Sequence, residues 1–285
     1  MKAKFSMIFP VLILFAALAP AAFAGTTTLI WHGHSAFEIR TPAGKVLMID
    51  PWLRNPMNPD GKDGKNPVDA IKKADYILLT HGHFDHVADA AELAQKTGAR
   101  LVATFDLGTN MAKLRDYPKD QMGFDTLMNI GGEITIADGE VRVTMTPAVH
   151  TSGLANPNAG DKEPDIVFGG DPVGFVIAIK GGPTIYDTGD TAFFSDMATI
   201  GKFYRPDVAL INTGGHFGME PPMAAKAAQA VGAPLVIPHH YATFPVLAKD
   251  PSAFIAALKG TKIRVRVMEP GSSIVFDGKK ARDGK

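Results

Sequence analysis

Cysteine is missing altogether from the 285 residues. Disulfides are thereby excluded, so the fold must stand on its apolar core and on any metal it binds. A lipid-anchored lipoprotein is excluded too, because that anchor needs a cysteine at the cleavage point. Excess charge of either sign is also missing. The 29 Lys and Arg balance 29 Asp and Glu, and no basic run follows the first few residues. A nucleic-acid surface built on phosphate contacts is therefore not expected. The sequence shows no heptads, short-period repeats or low-complexity tracts, which removes coiled coils and solenoids. What is left is an ordinary globular composition, 46% hydrophobic and 20% charged. The length suits one large domain or two small ones.

At the N-terminus, Lys2 and Lys4 precede an almost wholly apolar run from Met7 to Ala19. Pro20 breaks that run, and Ala22-Phe23-Ala24 is a small-x-small cleavage signal. The pattern reads as a secretory signal peptide over 1–24, with the mature domain in 25–285. An uncleaved membrane anchor is the competing reading, which Pro20 and the Ala-x-Ala site disfavour. An exported protein without disulfides is expected in the bacterial periplasm or outside the cell, with no stable membrane anchor after cleavage.

Short β-branched runs alternate with helical stretches along the rest of the chain. Strands are predicted at Thr28–Trp31, Ala36–Arg40, Lys45–Ile49, Tyr76–Leu79, Leu101–Ala103, Glu133–Ile136 and Val141–Thr146. More follow at Gly174–Ile179, Thr184–Tyr186, Val208–Asn212, Leu235–Ile237, Arg264–Met268 and Ser273–Phe276. Helical patterns cover Val87–Thr97, Leu107–Arg115, Pro221–Val231 and Pro251–Leu258. Hairpins, β-loop-α units, hairpins again and further βα units suggest a single α/β domain of two packed sheets with helices outside. Two stretches, Leu53–Pro67 and Thr151–Pro172, read as long loops that shape a site.

Chemistry concentrates at Thr80–His86, Thr-His-Gly-His-Phe-Asp-His, where His81, His83, Asp85 and His86 fall together. Residues two apart in extended backbone face the same way, so His81 and His83 can share one ion. Asp85 and His86, in the first turn of the following helix, can face a second ion. That helix's N-terminus would favour an anionic group. Imidazole and carboxylate donors suit zinc, manganese, iron or nickel. Three later strand ends offer the missing donors: His150, Asp190, and the pair His239 and His240. Each alone is more often a turn residue; beside the cluster they supply the right number and type.

The run matches the His-x-His-x-Asp-His signature of the metallo-β-lactamase superfamily, and His150, Asp190 and His240 follow in that superfamily's order. The flanking pieces Trp31–Ile39, Ile49–Trp52, His150–Gly153, Asp187–Thr191 and Pro238–Pro245 resemble its poorly characterised metal-dependent hydrolases related to ascorbate-6-phosphate lactonases. The resemblance spans roughly Thr28 to Phe276. It implies an αββα sandwich, with His81, His83 and His150 on one metal, Asp85, His86 and His240 on a second, and Asp190 bridging. The pattern Pro-x-His-Tyr selects His240, which leaves His239 packed away or supporting from behind. Without a cysteine the chain departs from β-lactamases that place a thiolate on the second metal, which lowers the odds of antibiotic hydrolysis.

Other residues carry weaker expectations. His34 is read as a catalytic residue that orients substrate or donates to a developing oxyanion, against a structural hydrogen bond within its turn. Asp50 is read as a partner behind a metal-bound histidine. His32, His216 and Tyr241 are left between pocket and packing roles, and Pro221–Val231 is a packing helix. The expected cofactors are two divalent transition-metal ions, zinc first. The expected reaction is attack by a metal-bridged hydroxide on a lactone or other ester, with Asp85 carrying the proton. Phosphodiester hydrolysis at the same centre and a non-catalytic periplasmic metal-binding protein are the alternatives. The expected partner is a small-molecule substrate, which the helix terminus allows to be anionic; a homo-oligomer stays open.

Overall fold

The computed structural model describes residues 25–160 and 164–283. The signal peptide expected over 1–24 lies outside them. Strands in chain order are β1 (Thr27–Trp31), β2 (Phe37–Arg40), β3 (Val46–Ile49), β4 (Tyr76–Leu78), β5 (Arg100–Thr104) and β6 (Leu127–Met128). Then come β7 (Glu133–Ile136), β8 (Val141–Pro147), β9 (Gly153–Ala155), β10 (Ile166–Phe168), β11 (Val173–Ile179) and β12 (Thr184–Asp187). The last are β13 (Val208–Asn212), β14 (Leu235–His239), β15 (Arg264–Val265), β16 (Ser273–Asp277) and β17 (Lys280–Asp283). Helices are α1 (Phe84–Val87), α2 (Ala90–Thr97), α3 (Phe105–Leu114), α4 (Met197–Tyr204), α5 (Pro221–Val231) and α6 (Ser252–Ala257).

Two large sheets carry the fold. One has eight strands in the order β17-β16-β1-β2-β3-β4-β5-β6; the other has seven, in the order β15-β14-β13-β12-β11-β8-β7. Side-chain alternation sends Phe175, Ile177 and Leu210 inward against Trp31, Phe37, Leu47 and Ile49 of the opposite sheet. Their neighbours Val176, Ala209 and Ile211 point outward, under a layer that includes Met197, Ala224 and Phe254 of α4, α5 and α6. On the far face of the first sheet, Met48, Ile77 and Leu101 meet Leu93 and Met111 of α2 and α3. With both faces covered, the central strands need near-continuous apolar runs. The αββα sandwich is thus observed.

Local chemistry sets the helix limits. Pro221 and Pro222 open α5, and left-handed Gly232 closes it. Thr104 caps α3 by accepting from the Leu107 amide. The helix expected from Val87 begins earlier and is broken in two. His83, in extended conformation, takes the amides of His86 and Val87 on its carbonyl, so Asp85 and His86 lie inside the one-turn α1. The second expected loop contains the antiparallel pair β9–β10. The first contains a 3-10 turn, Pro59–Gly64, capped by the Asn58 side chain. Helix α4 and strands β6, β9, β10 and β17 had no sequence prediction. Among the described residues no helix is long and apolar enough to cross a membrane.

Parallel pairing then places the site. Strands β3, β4 and β5 run parallel in one sheet, and β12, β13 and β14 run parallel in the other. Their C-terminal ends open at one edge of the sandwich, and Asp50, the His81 loop, Asp190 and His240 all follow such ends.

Candidate metal centre

Three strand-end segments converge on the Thr80–His86 loop. Nε2 of His81 lies 2.9 Å from Nδ1 of His83. With His150 these two form a group whose donor atoms fall within 4.8 Å of one another. A second such group joins Asp85, His86 and His240, with His34 beside them. Asp190 stands between the groups: its Oδ2 lies 2.9 Å from His240 Nε2, 3.4 Å from His86 Nε2 and 3.8 Å from His150 Nε2. Cis ligands on one ion with bonds of ~2.1 Å sit roughly 3.0–3.4 Å apart, so the first two spacings fit ligands of a shared ion. All seven residues expected to hold metal are therefore brought together.

The donors suit a cation for a further reason. Nε2 of His86, His150 and His240 and Oδ1 of Asp190 are buried without a hydrogen-bond partner. Buried polar atoms left unpaired are costly. Three such nitrogens around one carboxylate, with one of its own oxygens also unpaired, are what a bound cation would satisfy, and the nitrogen and oxygen donors match zinc or another divalent transition metal.

Electrostatics within the cluster follow from burial and mutual charge. Burial, then the neighbouring His86, holds His81 well below the usual imidazole range. Burial likewise lowers His83 and His150. For His86 burial also opposes the charged form, but Asp190 and Asp50 outweigh it and raise the imidazole well above its ordinary value. Asp190 is the mirror case: burial pushes it up, while His240 and His86 pull it well below the usual carboxylate range.

Support lies behind the donors. Asp50 accepts from the Thr80 amide (2.8 Å) on Oδ1 and from the Thr80 hydroxyl (2.5 Å) on Oδ2. The same Oδ2 meets His86 Nδ1 at 2.7 Å. Asp50 could also be grouped with His81 and His86 as a donor. These three bonds already occupy its oxygens, so it orients His86 from behind, as expected.

His34, Asp50 and His240 all have left-handed backbones, at φ 51°, 42° and 60°. Strain of that kind is held only where the surroundings determine it. It also separates the His pair: β14 ends at His239, and the left-handed His240 turns into the centre. His239 points away, with Nδ1 3.2 Å from the Ser35 hydroxyl and its ring edge-on to Phe37.

His34 is fully buried, with Nε2 3.1 Å from Asp85 Oδ2 and Nδ1 2.6 Å from the Thr243 hydroxyl. Burial first, then His240, lowers its pKa to about 4, so it is neutral at pH 7. The tautomer that satisfies both contacts donates from Nε2 to Asp85 and accepts at Nδ1 from Thr243. His32 pairs instead with Glu38 at 3.1 Å, and Tyr241 packs on Trp31 in the inter-sheet core. The exposed His216 contacts Phe217, and its amide donates to the Glu220 carboxylate. Thr80, Thr151, Thr243, Trp52 and Phe244 were missed. Thr80 adjoins His81, and the other four lie within the flanking motifs, where their membership was the only signal.

One expectation is corrected. A helix N-terminus was expected to draw anions to the centre, but α1 is a single turn of four residues, too short to build an appreciable macrodipole.

The β-lactamase superfamily domain model matches residues 46–241. A UPF0173 metal-dependent hydrolase from Thermodesulfovibrio yellowstonii is 45% identical over 263 residues, covering 92% of this chain and 95% of its own. The chain belongs to that family. Another UPF0173 hydrolase, from Anaeromyxobacter dehalogenans, is 51% identical over 259 residues, covering 90% and 89%. Among solved structures, Igni18, a metallo hydrolase from Ignicoccus hospitalis, aligns with a TM-score of 0.73 and 32% identity over 88% of this chain and 98% of that one. An isothiocyanate hydrolase from Delia radicum gut bacteria shares the fold at a TM-score of 0.63 and 20% identity, covering 88% of this chain and 99% of that one. This UPF0173 protein is thus a metal-dependent hydrolase of the metallo-β-lactamase fold. The narrower kinship to ascorbate-6-phosphate lactonases rests on the flanking motifs alone.

Proposed function

We propose that this chain is an exported hydrolase of lactones or other carboxylic esters that uses two divalent transition-metal ions, zinc first among them. The observation that carries the reading is the convergence of buried, unpartnered imidazole nitrogens from two three-residue groups on the single carboxylate of Asp190. His81, His83 and His150 would hold one ion, Asp85, His86 and His240 the other, and Asp190 would touch both. Ions so held would lower the pKa of a water to about 7 and polarise the ester carbonyl.

The chain's own groups supply the proton traffic. Burial raises the Asp85 carboxyl, but the hydrogen bond from His34 and the charge of His86 bring it well below the usual range. It is therefore ionised, the form that can hold a metal ion, and a proton it takes up is readily given away again. His34 fixes its orientation through Nε2 and is itself fixed by Thr243. Asp85 is the proton carrier of the reading, and His34 positions it.

Esters are placed before phosphodiesters because the flanking motifs resemble those of lactonases, and the same centre could serve either bond. Export rests on the pattern at Met7–Ala24 and is checked by N-terminal sequencing of the protein from a periplasmic fraction.

The test is elemental analysis of wild type and Asp190→Ala, with turnover of a panel of lactones, phosphodiesters and β-lactams. About two ions per chain and ester turnover are expected for wild type, with loss of one ion and most activity in the variant. A variant that retains both ions overturns the donor assignment. Metal binding with no turnover across the panel overturns the enzyme reading in favour of a metal-binding protein.

A further inference from the structure

The centre does not open evenly to solvent. Three rings gather on the side of Asp85. Trp52 and Phe244 stack with centroids 5.6 Å apart and planes 11° from parallel. Phe84 stands edge-on to both, at 5.7 and 6.1 Å. The first two also contact the ring of His34, at 5.0 and 5.7 Å, and His34 bonds Asp85. These rings come from three separate motifs of the chain, and nothing in the sequence shows that they meet.

Packing among themselves does not account for Phe84. It lies in sequence between two metal-binding candidates, His83 and Asp85, and is still 53% exposed. A ring recruited only to pin the loop after His240 would be covered by that loop. On the other side of the centre, exposed Thr151 places its hydroxyl 3.3 Å from His83 Nε2.

We propose that Trp52, Phe84 and Phe244 form the binding wall for a flat apolar arm of an uncharged ester. The scissile carbonyl then faces the two donor groups, and the polar end of the substrate faces Thr151. The proposal rests on the hydrolase reading above and names the substrate class of that site. It disfavours a phosphorylated arm, whose charge this wall would desolvate without a hydrogen-bond partner. Aromatic arms gain from offset or edge contacts with the wall in addition to burial.

The test separates binding from turnover. Acetohydroxamate and phenylacetohydroxamate carry the same metal-directed head and differ by the phenyl ring. Their affinities for the metal-loaded protein are read by calorimetry and by emission of Trp52, one of two tryptophans. Phenylacetohydroxamate is expected to bind about tenfold tighter. Phe84→Ala and Phe244→Ala should each narrow that gap to about twofold, while Phe84→Tyr should preserve it. Because Phe84 is half exposed, its variants test the wall even if Phe244→Ala disturbs folding. Equal binding of the two hydroxamates by wild type overturns the wall, whatever the turnover. Ethyl phenylacetate and ethyl acetate are assayed alongside. A phenyl preference in binding with neither ester hydrolysed overturns the ester reading and leaves the wall standing.

Discussion

Asp50 touches no substrate in this arrangement, yet its replacement by Asn should impair metal binding on one side of the centre. The carboxylate accepts three hydrogen bonds, from the Thr80 amide, the Thr80 hydroxyl and His86 Nδ1. An Asn amide offers one oxygen in place of two. Whichever way it is turned, its NH2 group faces a donor of Thr80 or of His86. Backbone strain does not confuse the comparison, because φ is 42° and Asn tolerates the left-handed region as well as Asp does. The His86 ring then loses both its fixed orientation and a charged partner. Removing such support behind a metal ligand typically costs 10–100-fold in affinity, or roughly 1.4–2.7 kcal/mol. Competition with a chromogenic chelator measures it, with circular dichroism as the check on folding. The ion held by Asp85, His86 and His240 should weaken by that factor, and the ion held by His81, His83 and His150 by much less. Equal weakening of both, or of neither, in a folded variant would refute the reasoning.

Three other outcomes follow from the same geometry. Chelation should lower the thermal midpoint, since a ligand at a hundred times its Kd stabilises by about 2.7 kcal/mol; a melting curve with and without EDTA reads it. Gly214→Ala should weaken metal binding at His240, because a Cβ there would strike the His240 carbonyl oxygen and come 3.0 Å from its Nδ1; unchanged metal content would show that the loop can yield. Away from the centre, buried Glu38 accepts from Arg40 at 2.5 Å and meets His32 at 3.1 Å. Burial raises its carboxyl, but His32 and Arg40 lower it below its ordinary value of 4.5. A depressed carboxylate stabilises the fold above that value, and the gain is lost as pH falls through the folded pKa. Glu38→Gln should therefore cost about 1–3 kcal/mol at pH 7 in urea denaturation. The deficit should shrink below pH 4.5, and a deficit constant with pH would count against the pair.

Much of this protein was legible in its residues. Two sheets buried on both faces require continuous apolar β-runs, and most of those runs stood out, including β8, β11 and β13. The missed pieces were short or unpatterned. Helix α4 ends without a glycine, at Arg205 in a left-handed conformation. Strands β9 and β10 are three residues each, within a stretch rich in Asn and Gly. The helix after the His cluster was placed too late because α1 is one turn long, set by backbone bonds to His83 that leave no side-chain signature.

The sequence by itself named the candidate donors, because coordination demands particular side chains, and His and Asp at strand ends have few competitors in a chain with nine histidines. It also settled that no thiolate takes part. The family resemblance already implied how those donors divide, and the tertiary structure supplies the reason, since the division depends on which strand ends open at the same edge. It separated His239 from His240 through a left-handed backbone. It gave Asp50 to His86, tied His34 to Asp85 and Thr243, and brought Trp52, Phe84 and Phe244 into one wall. Those relations join residues as far as 209 positions apart. Such contacts arise when the sheets pack, and no local pattern of residues encodes them.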